Sequence, residues 1–68
     1  MDKFKMFLRY IESDKQALTA FVKRKGHVEN LGQRELTRFN DKVNACEELS
    51  YGERADLSSR FSEMVDNI

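Results

Sequence analysis

Apolar residues recur at helical spacing along most of the chain, and the longest run of this pattern lies in residues 33–50. Leu36, Phe39, Val43 and Cys46 follow one another at steps of three, four and three. That spacing draws one narrow apolar seam down a helix. It predicts a helix over 33–49 that the other stripes cover, with Phe39 deep in the core. Cys46, on the same seam, reads as a small buried hydrophobe rather than a reactive thiol. Upstream, Phe4, Phe7, Leu8 and Ile11 stand at i, i+3, i+4 and i+7 over residues 2–12, a second amphipathic helix. Met6 and Tyr10 fall on its far side and are expected to be exposed.

Punctuation between the stripes divides the chain further. Ser13-Asp14-Lys15-Gln16 has the form of a capping box, in which the serine hydroxyl accepts from the third helical N–H and the glutamine reaches back. The chain is therefore expected to break at Ser13 and to start a new helix that runs to Lys25. Ala17, Leu18, Phe21 and Val22 form its buried face. Lys23, Arg24 and Lys25 occupy its last turn, where cations complement the macrodipole, and Gly26 suits the position just past its end. Residues 26–32 are bracketed by glycines and have no period, so they read as a loop whose Val28 and Leu31 tuck against the core. His27, isolated in that loop, reads as exposed or bonded within it. Ser50-Tyr51-Gly52-Glu53 is a second capping box. It opens a helix that runs from Tyr51 to the end of the chain with the stripe Leu57, Phe61, Met64, Val65 and Ile68, and Ile68 is expected to dock. Asp56, Arg60 and Glu63 form its outer row. The expected fold is all-α, a small bundle of four short amphipathic helices in one domain over residues 1–68.

Composition narrows the function classes. One cysteine and one histidine among 68 residues supply neither a disulfide nor the four thiolate or imidazole ligands of a structural zinc site. Dimerisation or a bound partner remains open as a source of extra stability for so short a chain. A lone cysteine suits a reducing compartment. No apolar run approaches the ~20 residues of a membrane span, and Met1-Asp2-Lys3-Phe4 lacks the apolar segment of a secretory leader; the expected location is cytoplasmic. Twelve basic and twelve acidic residues give a formal net charge of zero, without the overall positive charge typical of a nucleic-acid binder. The charge is nevertheless divided. Residues 1–26 hold seven cations and three acids, 7 − 3 = +4, and residues 27–68 hold five and nine, 5 − 9 = −4. A basic half packing on an acidic half is the simplest expectation.

Catalytic and cofactor-binding motifs are missing. No base stands within a readable arrangement of Cys46, there is no P-loop or dinucleotide fingerprint, and the acids are scattered over helix faces. No enzymatic activity, cofactor or metal is expected. Two basic features remain. Arg34, Arg38 and Lys42 are spaced four apart opposite the seam, a ridge of like charge that costs a helix about 0.2–0.5 kcal/mol per pair, offset in part by Glu35 and Asp41. Arginines in such a ridge suit bidentate pairing with carboxylates or phosphates. The triplet Lys23, Arg24 and Lys25 is the other feature, although its place in a last helical turn already accounts for it.

Met6-Phe7-Leu8-Arg9, the helix ending in Lys23-Arg24-Lys25, and Arg34-Glu35-Leu36-Thr37-Arg38-Phe39 followed by Glu48-Leu49 resemble the Hha/YmoA group. These are small cytoplasmic helical proteins of enteric bacteria that modulate transcription by binding the oligomerisation region of the nucleoid-structuring protein H-NS. The resemblance covers residues 6–49. The group's Ala-Ala-Asp-His-Arg run is replaced by Lys42-Val43-Asn44-Ala45 and neighbours, its C-terminal tryptophan is absent, and the last helix has no equivalent. No functional residue is carried over from it.

The residues and their spacing therefore lead to a non-enzymatic regulatory or inhibitory protein, of the kind phages and plasmids encode, that binds another protein with an acidic surface. Its contact residues would be Arg34, Arg38 and Lys42, with Met6 and Tyr10. The alternative is an Hha-like modulator of transcription, or a regulator that binds nucleic acid directly through Lys23, Arg24 and Lys25.

Overall fold

The computed structural model describes residues 2–68; Met1, the first residue of the stretch read as lacking a leader, lies outside them. The described residues form three helices, α1 (Lys3–Lys25), α2 (Gln33–Ala45) and α3 (Tyr51–Asp66). Four helices were expected, and the difference lies at Ser13. The chain does not break there: α1 is a single helix of 23 residues. Its length, about 35 Å at 1.5 Å per residue, sets the 37 Å long axis of the molecule.

Two physical effects override the Ser13 capping box. Ending one helix and starting another would strand four carbonyls and four N–H groups, whereas Ser and Asp inside a helix cost at most about 0.7 kcal/mol each relative to Ala. The apolar stripes on either side are also in phase. Phe7, Ile11 and Leu18 are buried on one line, and the position between Ile11 and Leu18 on that line is Asp14. A continuous helix keeps all three apolar residues in the core at the expense of one half-buried carboxylate. Asp2 caps the start, its Oδ1 accepting from the Phe4 N–H at 2.9 Å. Gly26 closes the end with a positive φ of 80° and an extended ψ of 179°, its N–H donating to the Val22 carbonyl at 2.8 Å.

Helix α2 ends at Ala45, four residues earlier than the stripe suggested. At about 100° per residue, further helix would turn Leu49 away from the seam of Phe39 and Val43. Stopping at Ala45 puts Cys46 in an extended conformation and lets Leu49 fold back into the core, where it is 4% exposed. The Cys46 carbonyl freed by the stop accepts from the Leu49 N–H at 3.3 Å and from Arg54 Nη2 at 2.8 Å. Cys46 itself is half-buried at the seam's end rather than enclosed. The Ser50 capping box forms as read. Ser50 Oγ accepts from the Glu53 N–H at 3.1 Å, and Glu53 Oε1 accepts from the Ser50 N–H at 2.9 Å.

The helices run up, down and up. Helix α3 packs against both others, while α1 and α2 approach each other less closely. Aromatic rings fill the wider gap. Phe39 on α2 is fully enclosed, with the rings of Phe7 at 5.7 Å, Tyr10 at 6.0 Å and Phe61 at 4.6 Å. Leu57, Phe61 and Met64 complete the core from α3, with Val65 and Ile68 packed at its edge. The 26–32 loop is where expected. Its Gly32 adopts φ 79°, and a Cβ there would meet both methyl carbons of Val65 at 2.9 Å. Leu31 is half-buried, but Val28 is 47% exposed and does not tuck in. Ala17, expected on the buried face, is exposed, and Phe21 and Val22 are only half-buried.

Candidate functional site: the flank between α1 and α2

The three members of the ridge do not point the same way. A step of four residues advances about 40° around a helix beyond one full turn, so a line of Arg34, Arg38 and Lys42 winds across the surface of α2. All three are exposed. Lys42, the last, reaches α1. Its Nζ donates to the Tyr10 hydroxyl at 2.7 Å and lies 4.7 Å from the centre of the Tyr10 ring. The ridge and the Met6/Tyr10 pair, distinct features of the sequence, are thus joined at Tyr10.

The placement of Met6 and Tyr10 differs from expectation. Neither projects freely; both are half-buried and pack on the core. The wide separation of α1 and α2 explains this, because the far flank of α1 becomes the wall of the gap that Tyr10 and Phe39 fill. Tyr10 therefore has one face anchored on the core and a hydroxyl at the surface, with an ammonium held against it. Such a cation–π contact contributes about 0.5–1 kcal/mol at an exposed site and fixes the position of a long side chain.

Asp14 is the residue that the pattern did not single out. It stands one turn beyond Tyr10 on α1, opposite Glu35, Arg38 and Lys42. Its carboxyl is held above its ordinary value of 3.8, first by burial and then by the nearby Glu35, with Lys42 and Arg38 acting in the opposite direction. Phase was the signal that could have found it, since Asp14 occupies the slot between Ile11 and Leu18 that an apolar residue would otherwise fill. Arg34 and Arg38 have no carboxylate within 4.0 Å among the described residues.

The second basic feature is not one patch. Lys23, Arg24 and Lys25 are all exposed in the last turn of α1, but successive residues diverge by about 100°. Lys23 turns to the opposite flank of α1, where it lines a groove against α3. His27 is exposed, and its Nε2 bonds the Ile68 backbone oxygen at 2.8 Å, tying the loop to the end of α3. The division of charge along the chain does not produce pairing between the halves: among the described residues the one close contact across it is Lys3 Nζ to Glu48 Oε1 at 4.0 Å. The other ion pair, Arg60 to Asp56 at 2.9 Å, lies within α3. No group of three or more acidic, histidine or cysteine side chains that could hold a metal occurs among the described residues. Among the described residues, no helix is long and apolar enough to cross a membrane.

No family model, curated protein or solved structure matches this chain.

Proposed function

We propose that this chain is a small cytoplasmic regulatory or inhibitory protein, non-enzymatic, that acts by binding another protein through the α1/α2 flank. The observation that carries this reading is the fixed ammonium of Lys42 on Tyr10 beside two exposed guanidinium groups, Arg38 and Arg34, with no carboxylate within 4.0 Å among the described residues. Three cations spaced four residues apart on α2 are held against their mutual repulsion, and guanidinium groups pair bidentately with carboxylates. An acidic protein surface fits this arrangement. The Hha/YmoA resemblance supplies one partner to test first, the oligomerisation region of H-NS.

The test is affinity capture from the native host with the wild-type chain and with Arg34→Gln/Arg38→Gln/Lys42→Gln. The substituted face is exposed, so the variant keeps its helical circular dichroism. It binds the captured partner more weakly, by about 1 kcal/mol or more where the contacts are desolvated. Binding unchanged in the variant across a range of salt would refute the reading. Capture abolished by nuclease, with affinity falling steeply as salt rises, would instead support direct nucleic-acid binding through Lys23, Arg24 and Lys25.

A further inference from the structure

The contact between Tyr10 and Lys42 leaves hydrogen-bond donors unused. A lysine ammonium has N–H donors and no acceptor, so the Tyr10 oxygen accepts from it and the Tyr10 O–H is still free to donate. No carboxylate lies within 4.0 Å of the ammonium among the described residues, which leaves its other N–H groups free as well. The two donor atoms are 2.7 Å apart at an exposed contact. Both are already held in place. The Tyr10 ring rests on Phe39, 6.0 Å between centres, and the ammonium lies 4.7 Å from the centre of the Tyr10 ring. A ligand that uses this pair therefore loses little to side-chain ordering.

The chain's own acids do not close the site. Asp14 is near enough to Glu35, Lys42 and Arg38 to feel their charges, yet neither acid comes within 4.0 Å of Lys42 or Arg38 among the described residues. Lys42 bonds a neutral hydroxyl instead. Arg34, Arg38 and Lys42 against Asp14 and Glu35 give this flank 3 − 2 = +1. So small a charge exerts little long-range pull on a polyanion, and recognition here rests on directed donors. A carboxylate accepts on both of its oxygens and suits the Tyr10–Lys42 pair. Arg38 stands one turn back along α2, about 6 Å away along the axis. A helix that crosses α2 at about −50° runs its own i, i+4 row alongside this one.

On the reading of the α1/α2 flank as a protein-binding face, we propose that the Tyr10 hydroxyl and the Lys42 ammonium together receive one carboxylate of the partner. Arg38 receives a second, carried one turn away on an acidic helix. Arg34 is turned about 80° from Lys42 around α2 and stays at the edge of the contact. Tyr10 is then the residue that makes the site select a carboxylate rather than diffuse negative charge.

The probe is an alanine-based helical peptide with glutamates at i and i+4, added to the isotopically labelled chain up to about 1 mM. Side-chain resonances of Tyr10, Arg38 and Lys42 are expected to shift, and those of Arg34 to change least. Tyr10→Phe keeps the ring but loses the hydroxyl. It is expected to weaken peptide binding about tenfold, the lower end of what a hydrogen bond to a charged group contributes. Lys42→Gln weakens it at least as much, and circular dichroism checks the fold of both variants. A peptide with glutamates at i and i+2, which do not share a face, binds less tightly than the i, i+4 peptide. Equal binding by wild type and Tyr10→Phe overturns the proposal, as does the absence of any shift at about 1 mM. A DNA duplex that displaces the peptide from these residues overturns it too. The captured partner separates this proposal from the reading beneath it. If Arg34→Gln/Arg38→Gln/Lys42→Gln weakens capture and Tyr10→Phe does not, the carboxylate site is overturned while the flank stands as the interface.

Discussion

Phe39 meets a ring from each of the other two helices and Tyr10 besides, so its side chain occupies the space that the backbones of α1 and α2 leave open. Replacing it with alanine creates a cavity that these distant helices cannot collapse into, and Phe39→Ala is expected to cost about 3–5 kcal/mol, a large share of a small domain's stability. Chemical denaturation reads this, and a midpoint close to wild type would contradict the central position given to Phe39. Phe39 was legible because a stripe of i, i+3 and i+4 positions fixes which side chain sits at its middle. Asp14 was not, because a carboxylate in an apolar register looks like the edge of a stripe until the helix is known to continue. Its raised pKa has a definite thermodynamic sign. The native state binds the proton more tightly than the unfolded chain, whose carboxyl keeps a value near 3.8. This contribution to stability is present in full below that value and is lost as pH rises through the raised native one. Asp14→Asn removes the dependence. The denaturation midpoint of the wild type is therefore expected to fall relative to that of Asp14→Asn as pH rises through this window. A relative rise would mean that pairing with Arg38 and Lys42 outweighs burial.

The elements differ in how clearly local sequence marks their ends. Ser13 and Ser50 both begin a capping-box pattern, and only Ser50 forms one. At Ser50 the preceding residues favour a stop: Leu49 gains burial only if α2 has already ended, and Arg54 returns to satisfy the Cys46 carbonyl. At Ser13 the flanking stripes share one phase, and no glycine or proline interrupts residues 3–25. Capping chemistry is local, whereas stripe phase extends over several turns, and in α1 the longer-range signal prevails. Paired substitutions separate the two cases. Ser50→Ala removes a working cap and is expected to cost about 1 kcal/mol. Ser13→Ala places the best helix former inside a continuous helix and is expected to be neutral or slightly stabilising. A loss at Ser13 equal to that at Ser50 would show that the helix breaks there. The 26–32 loop, the start of α2 and the start and stripe of α3 were legible because glycines, a working cap and an unbroken stripe agree, while α3 stops at Asp66, two residues short of its expected end.

At the scale of the whole molecule, charge and packing are organised separately. The basic N-terminal half and the acidic remainder are brought together by apolar residues, with a single long ion pair among the described residues, Lys3 to Glu48, between them. Their charges are left largely on the surface, the cations of α2 on one flank of α1 and the mixed walls of the groove on the other. The location of the ridge was readable from its spacing, but its junction with Tyr10 was not. That contact depends on how far apart α1 and α2 stand, which the size of the rings between them decides. The central claim, that a partner meets the chain at this junction, is tested most directly by recording amide and side-chain chemical shifts of the isotopically labelled chain as the captured partner is added. Shifts and line broadening are expected to concentrate on Arg34, Arg38 and Lys42, with Tyr10 and Asp14 across the flank. Changes confined to Lys23, Arg24 and Lys25 or to the α1/α3 groove, with the Lys42–Tyr10 contact undisturbed, would contradict it.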